Sequence, residues 1–225
     1  MTERPPFFPG AVIFDMDGLM LDTEGPAVFT WVEIARNMGL PVDTETALKT
    51  VGLDEASTNA VLFEAYGPDF PHEKVRREWE RVIAEDIDKN GIPHRPGLIT
   101  LLDHLAALGI PLGVATSSSR KTALHRLERG GILERFPVLA CGDEVARGKP
   151  APDIFLLAAE RLGRDPAVCI GFEDSPAGLL ALHGAGIKSV FVKDLVEPPE
   201  EVLRTVWRRY DNLAEAVSLF GPGGG

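Results

Sequence analysis

The 225-residue sequence has no glutamine, only two cysteines and no apolar run long enough to span a bilayer. It is also short of positive charge: 23 Lys and Arg face 34 Asp and Glu, a formal net charge of −11. Nucleic acid and anionic membrane are therefore not expected as partners, since both are bound by clustered cations. The opening MTERPPFFPG contains three prolines and no apolar stretch of the kind that forms a secretory leader. Cys141 and Cys169 each fall in a run expected to be a buried strand, where a free thiol behaves as a small hydrophobe. Two reduced structural thiols fit a cytoplasmic protein better than a disulfide framework. The five histidines (72, 94, 104, 125 and 183) show no ligand spacing, so no structural metal is expected. No exposed apolar stripe is evident, and a monomer is the expected state.

The pattern that is present is mixed. Ala11 to Phe14 is a short, wholly apolar run ending in Asp15, as in a strand buried on both faces. From about Thr23 to Asn90 the periodicity is helical. Val28, Trp31, Val32, Ile34 and Ala35 form one stripe, ended by Gly39 and Pro41, and further helices are expected over 54–66 and 71–89. Trp31, Phe63 and Trp79 lie on such stripes and are expected in a core.

After Arg95-Pro96-Gly97 the chain alternates. Helices are expected over 98–108, 121–129, 152–162 and 177–183, and strands over 110–116, 138–141, 168–172 and 189–192. That alternation predicts an α/β fold, a doubly wound parallel-sheet core over 1–22 and 94–225 with an inserted helical cap over 23–93. Gly25-Pro26 and the segment 93–97 are the expected hinges of that cap, and the glycine-rich tail from Gly221 is expected to be disordered.

In such sheets ligands bind at the carboxyl ends of strands, and four successive strand ends carry polar groups. The first presents Asp15-Met16-Asp17-Gly18, the second Thr116-Ser117-Ser118-Ser119-Arg120, the third Lys149 before Pro150, and the fourth Glu173-Asp174-Ser175-Pro176. Each has a plain structural explanation: an Asx turn, a helix cap, a solvated turn lysine, a second helix cap. Together they form two carboxylate pairs, a hydroxyl-rich anion cradle and an ammonium. That inventory suits Mg²⁺ and a phosphate, with hard oxygen ligands for the cation and N–H, O–H and ammonium donors for phosphoryl oxygens.

The run Phe14-Asp15-Met16-Asp17-Gly18-Leu19-Met20-Leu21-Asp22-Thr23-Glu24 resembles the first motif of the haloacid dehalogenase-like hydrolase superfamily. Ala115-Thr116-Ser117-Ser118 resembles the second, Lys149-Pro150-Ala151-Pro152-Asp153 the third, and Glu173-Asp174-Ser175-Pro176-Ala177-Gly178 the fourth. The helical insert resembles the cap of the subgroup holding β-phosphoglucomutase and small phosphatases, and the Ala-Thr-Ser-Ser run resembles pseudouridine 5′-phosphatase-like members.

The resemblance implies Asp15 as nucleophile and Asp17 as general acid and base. It implies Mg²⁺ held by Asp15, Asp17 and Asp174 with Glu173 assisting, and phosphate bound by Thr116, Ser117 and Lys149. Ser118 and Arg120, which follow the phosphate loop, are further candidate substrate ligands.

Asp17 favours phosphate-ester chemistry, since dehalogenating and phosphonate-cleaving members lack that second aspartate. A mutase of the β-phosphoglucomutase kind carries a cap His where Ala27 stands, and a cap Arg in the region of Gly52-Leu53-Asp54-Glu55, which here is acidic. Acidic groups would repel a second phosphate. Hydrolysis of a small phosphorylated sugar, polyol or nucleoside is therefore expected, with a mutase as the alternative. A non-catalytic phospho-ligand sensor on the same fold is a further alternative.

Overall fold

The computed structural model describes residues 8–23, 25–50, 55–194 and 197–221. The chain forms two compact units, one of Met1–Leu21 with Pro93–Gly225 and one of Asp22–Ile92. The larger is built on six parallel strands: β1 (Ala11–Phe14), β2 (Leu112–Thr116), β3 (Val138–Cys141), β4 (Cys169–Glu173), β5 (Lys188–Val192) and β6 (Arg208–Tyr210). Their order across the sheet is β3-β2-β1-β4-β5-β6. The chain thus builds outward from β1 in one direction through β2 and β3, and in the other through β4, β5 and β6. The reversal falls between β1 and β4, where a doubly wound sheet opens a crevice at its strand ends.

The helices of the smaller unit are α1 (Gly25–Asn37), α2 (Thr44–Leu48), α3 (Glu55–Tyr66) and α4 (His72–Asn90). Those of the larger unit are α5 (Leu98–Ala107), α6 (Arg120–Arg129), α7 (Asp153–Arg161), α8 (Pro176–Gly184) and α9 (Glu200–Leu203). Central strands covered on both faces must be apolar throughout, and Ala11, Val12, Ile13 and Phe14 are all fully buried. Phe14 stacks on Phe172 at 5.0 Å between ring centres, which locks the ends of β1 and β4 together. Ile154, Phe155, Ala158 and Ala159 of α7 pack with Ala181 and Leu182 of α8 on residues of β1 to β4.

The smaller unit has its own core of Val32, Ile34, Ala35, Val42, Leu62, Phe70 and Val75, with Trp31 and Trp79 packed against it. Phe63, expected in that core, is 38% exposed. Residues 24, 51–54 and 222–225 lie outside the described residues, and so do the side chains of 25–27 and 55–57. The expectations for Ala27, for the region 52–55 and for the tail beyond Gly221 therefore fall outside them.

Three features depart from the sequence pattern. The strand expected from Ile110 starts at Leu112, after Pro111, which lacks the N–H a ladder needs. Val168 is 44% exposed and sits in a 3₁₀ turn, so β4 runs one residue further on, through Glu173. Helix α2 and strand β6 were not anticipated, nor was the single turn of α9. The first has one turn, capped when Asp43 accepts from the Thr46 N–H at 2.7 Å. The second is a three-residue edge strand with no fully buried residue. None of them carries a period to read.

Among the described residues no helix is long and apolar enough to cross a membrane. The entry to α5 depends on a glycine. Gly97 has φ +87°, and a Cβ there would lie 2.1 Å from the Ala214 backbone nitrogen. Strain and overlap with backbone act together, so Gly97→Ala is expected to lower the unfolding free energy by roughly 2 kcal/mol or more. Urea unfolding checks this, and a change below about 0.5 kcal/mol contradicts it.

Candidate active site

The β1–β4 pairing sets the geometry. Phe14 lies opposite Phe172 and the Asp15 N–H donates to the Phe172 carbonyl at 3.0 Å, so Asp15 leaves the sheet beside Glu173 and Asp174. These three buried residues each offer a carboxylate oxygen within 4.8 Å of the others. Lys149, from the loop after β3, reaches into the group. Its side chain is 6% exposed, its ammonium donates to Asp15, and it donates to Glu173 Oε1 at 2.6 Å.

Glu173 is fully enclosed. Its Oε2 accepts from the Asp174 N–H at 2.9 Å, the Ser175 N–H at 2.8 Å and the Ser175 hydroxyl at 2.9 Å. With Oε1 on Lys149, both oxygens are engaged by the protein. Glu173 therefore orients Lys149 and the loop, and its contribution to a cation site is chiefly its charge. Ser175 caps α8: its Oγ accepts from the Gly178 N–H at 3.1 Å.

Three carboxyl groups and one ammonium share this buried space. Burial pushes the Asp15 carboxyl well above the usual carboxylate range; Glu173 and Asp17 add to the push and Lys149 opposes it. Burial disfavours the Lys149 ammonium, but Asp15 and Glu173 outweigh it and hold the amine above its ordinary value. The candidate ligand atoms are all hard carboxylate oxygens, which fit a divalent cation such as Mg²⁺. The loop backbone packs close by: a Cβ on Gly18 would meet Asp174 Oδ2 at 2.6 Å and Asp194 Oδ2 at 3.3 Å.

The second strand end meets Asp17. Thr116, the last residue of β2, is buried; its hydroxyl accepts from the Ser118 N–H at 3.1 Å and lies 3.5 Å from Asp17 Oδ2. Ser118 donates its hydroxyl to Asp17 Oδ2 at 2.9 Å. Ser117 is exposed; the loop is braced where the Gly142 N–H donates to the Ser118 carbonyl at 2.9 Å, an approach so close that a Cβ on Gly142 would strike the Ser117 carbonyl at 2.1 Å. Ser119 caps α6 by accepting from the Thr122 N–H.

Arg120, anticipated as a substrate ligand, is engaged elsewhere. Its guanidinium donates to Glu144 and to the Leu139 carbonyl, with Arg161 on the same two partners. Arg161 and Arg120 hold the Glu144 carboxyl down at about 2. Leu139 belongs to β3, the outermost strand of the sheet, so the pair of guanidiniums occupies a carbonyl on an open edge. That is a structural duty, which replaces the one expected.

Two groups near the site were missed in the sequence. Arg126 of α6 donates to Asp17 Oδ1 at 2.6 Å. Asp194, just past β5, pairs with Arg95 at 2.6 Å and has a 6% exposed side chain. Asp194 had a readable signal, because it stands at a fifth strand end where only four were considered. Arg126 had a fainter one: it falls between buried Ala123 and Leu127 on the inward side of α6, an unusual place for a cation.

The haloacid dehalogenase-like hydrolase family matches residues 9–186. A phosphorylated carbohydrates phosphatase of Thermotoga maritima is 35% identical over 185 residues, covering 80% of this chain and 83% of that protein. A β-phosphoglucomutase of Bacillus subtilis is 32% identical over 192 residues, covering 81% and 82%. The crystal structure of a HAD family hydrolase from Deinococcus radiodurans, with bound phosphate and sodium, superimposes with a TM-score of 0.77 at 26% identity, covering 97% of this chain and all of that one. The chain belongs to the haloacid dehalogenase-like hydrolase family and is an enzyme of its phosphatase type.

Proposed function

We propose that the protein is a Mg²⁺-dependent phosphomonoesterase that hydrolyses a small phosphorylated metabolite, a sugar, polyol or nucleoside phosphate, through an aspartyl-phosphate on Asp15. The observation that carries this reading is the buried group of Asp15, Glu173 and Asp174, whose carboxylate oxygens converge, with Lys149 paired to two of the three residues. Such a group offers hard oxygen ligands to a cation, and a nucleophilic carboxylate must still approach an anionic phosphate.

In this reading Asp15, the Asp17 carbonyl and Asp174 would hold Mg²⁺, with Glu173 assisting beside them. When bound, the ion would supply the positive charge that phosphoryl oxygens and nucleophile both need. Asp15 attacks phosphorus in line with the leaving oxygen. Lys149 keeps its ammonium against Asp15 and is placed to meet a phosphoryl oxygen, with Thr116, Ser117 and Ser118 as further donors. Asp17 gives a proton to the leaving oxygen and afterwards takes one from the water that cleaves the aspartyl-phosphate. The named activity of the Thermotoga maritima relative supports a phosphorylated carbohydrate as substrate. A monomeric, cytoplasmic enzyme without nucleic-acid or membrane partner completes the proposal.

The similarity to a β-phosphoglucomutase keeps a mutase as the second reading. Phosphate release from sugar, polyol and nucleoside monophosphates separates the two. Release is expected to require Mg²⁺ and to fall by about three orders of magnitude or more in Asp15→Asn, since covalent catalysis has no substitute there. Interconversion of hexose 1- and 6-phosphates, without net release and dependent on a bisphosphate primer, would establish the mutase. Full activity in Asp15→Asn would remove the covalent mechanism.

A second outcome follows from the enclosure of Glu173. A Cβ on Gly178 would lie 1.7 Å from Glu173 Oε1, the oxygen that holds Lys149. Gly178→Ala is therefore expected to lower kcat about tenfold or more, about 1.4 kcal/mol in the barrier, and to lower Tm. Unchanged kcat with a normal Tm would show that Lys149 does not depend on Glu173 for its placement.

A further inference from the structure

Helix α6 is mostly a solvated helix, with Lys121, Glu128 and Arg129 outside and Ala123 and Leu127 buried. Arg126 breaks that division. Its side chain is 19% exposed and lies on the inward side, where it pairs with Asp17, itself 21% exposed. Nη1 donates to Asp17 Oδ1 at 2.6 Å and lies 3.4 Å from the Ser118 hydroxyl. Asp17 Oδ2 meanwhile accepts from Ser118 at 2.9 Å and faces the Thr116 hydroxyl at 3.5 Å. The two oxygens of one carboxylate are thus tied to different elements, Oδ1 to α6 and Oδ2 to the loop after β2.

We propose that Arg126 is a positioning residue for Asp17: it fixes the carboxylate in one rotamer, so that Oδ2 stays turned toward the hydroxyls of the phosphate loop. This deepens the phosphatase reading and rests on it. The physical basis is pre-organisation. An Asp side chain has two free torsions, and a general acid that must find its rotamer in each turnover loses part of its effect. A charge-assisted bond of 2.6 Å from a partly buried guanidinium holds that geometry before substrate arrives. Arg126 touches neither the carboxylates around Lys149 nor Lys149 itself among the described contacts, so its action runs through Asp17.

The consequence is a dependence on leaving group. In the first step the bond from phosphorus to the leaving oxygen breaks, the bond from phosphorus to Asp15 forms, and the proton on Asp17 passes to the leaving oxygen. A sugar alkoxide needs that proton; p-nitrophenolate leaves as the anion and does not. The ratio kcat/KM reports steps only up to departure of the leaving group.

The experiment compares kcat/KM for glucose 6-phosphate and for p-nitrophenyl phosphate, with Mg²⁺, in wild type, Asp15→Asn, Arg126→Met, Arg126→Lys, Asp17→Asn and the double variant Arg126→Met with Asp17→Asn. Met keeps the apolar stem, and Tm is recorded for every variant. Arg126→Met is expected to lower the alkyl ester about 10- to 100-fold and the aryl ester by less than about threefold, a part of what general acid catalysis supplies. Arg126→Lys, which keeps one cationic donor, is expected to recover part of the loss and serves as the test variant if the Met form does not fold. In the Asp17→Asn background Arg126→Met is expected to add less than about a factor of two, because the two residues act as one unit.

Equal losses on both esters, or losses that multiply in the double variant, overturn the inference while leaving the phosphatase intact. A rise in KM alone for the sugar ester also overturns it and makes Arg126 a substrate ligand. A wild type that releases phosphate from none of the sugar, polyol and nucleoside monophosphates, the best of which replaces glucose 6-phosphate as the alkyl ester if that one is not turned over, or an Asp15→Asn form with full activity, overturns the parent reading and this inference with it.

Discussion

One buried ammonium holds the centre of this protein together. Lys149 arrives from the loop after β3, yet its charge lies between Asp15 of the first strand end and Glu173 of the fourth. Without it, three carboxylates would share a space nearly closed to water, where like charges repel strongly and ionised groups are costly to desolvate. The ammonium therefore lets segments more than 130 residues apart in the chain converge on one point. In the proposed reading, this concentration of buried hard oxygens around one ammonium is what suits the crevice to a divalent cation and an anionic substrate.

The sheet supplies the convergence that Lys149 stabilises. The reversal of strand order at β1 and β4 puts the ends of both strands on one crevice, with β2 next to β1. The stacked pair Phe14 and Phe172 fixes the register one residue before the chemistry begins. Beyond those rings the backbone changes from apolar to acidic within a single residue on both strands. A rigid core ending abruptly in carboxylates is how the fold sets the positions of its reactive groups without relying on flexible loops.

Several polar residues proved to serve both the structure and the site. Ser175 caps α8 and also donates to Glu173. Thr116 ends β2, steadies the following loop and stands near Asp17. Arg120, next in sequence to the cap of α6, serves the structure alone through its contacts with Glu144 and the edge strand. Capping and catalysis draw on the same residue types because both need short side chains that hold a backbone in a set shape and accept or donate at close range.

By itself, the sequence determined the alternation of strands and helices, the helical insert, and the acidic, hydroxylic and basic groups at four strand ends. These follow from local causes: a buried strand must be apolar, a helix must cap itself, and a chain that alternates the two must place its loops at the sheet ends. Asp15, Asp17, Thr116, Lys149, Glu173 and Asp174 were all legible for that reason. Tertiary structure alone decided which of those groups touch. Oxygens from two segments, on Asp15 and Glu173, share one ammonium, Glu173 is enclosed by Gly178, and Arg120 goes to the sheet edge. Arg126 meets an aspartate 109 residues before it. A charged side chain on a helix reads locally as solvated; only the packing of α6 shows which carboxylate lies within reach, because a Coulomb interaction depends on distance in space and is indifferent to separation along the chain.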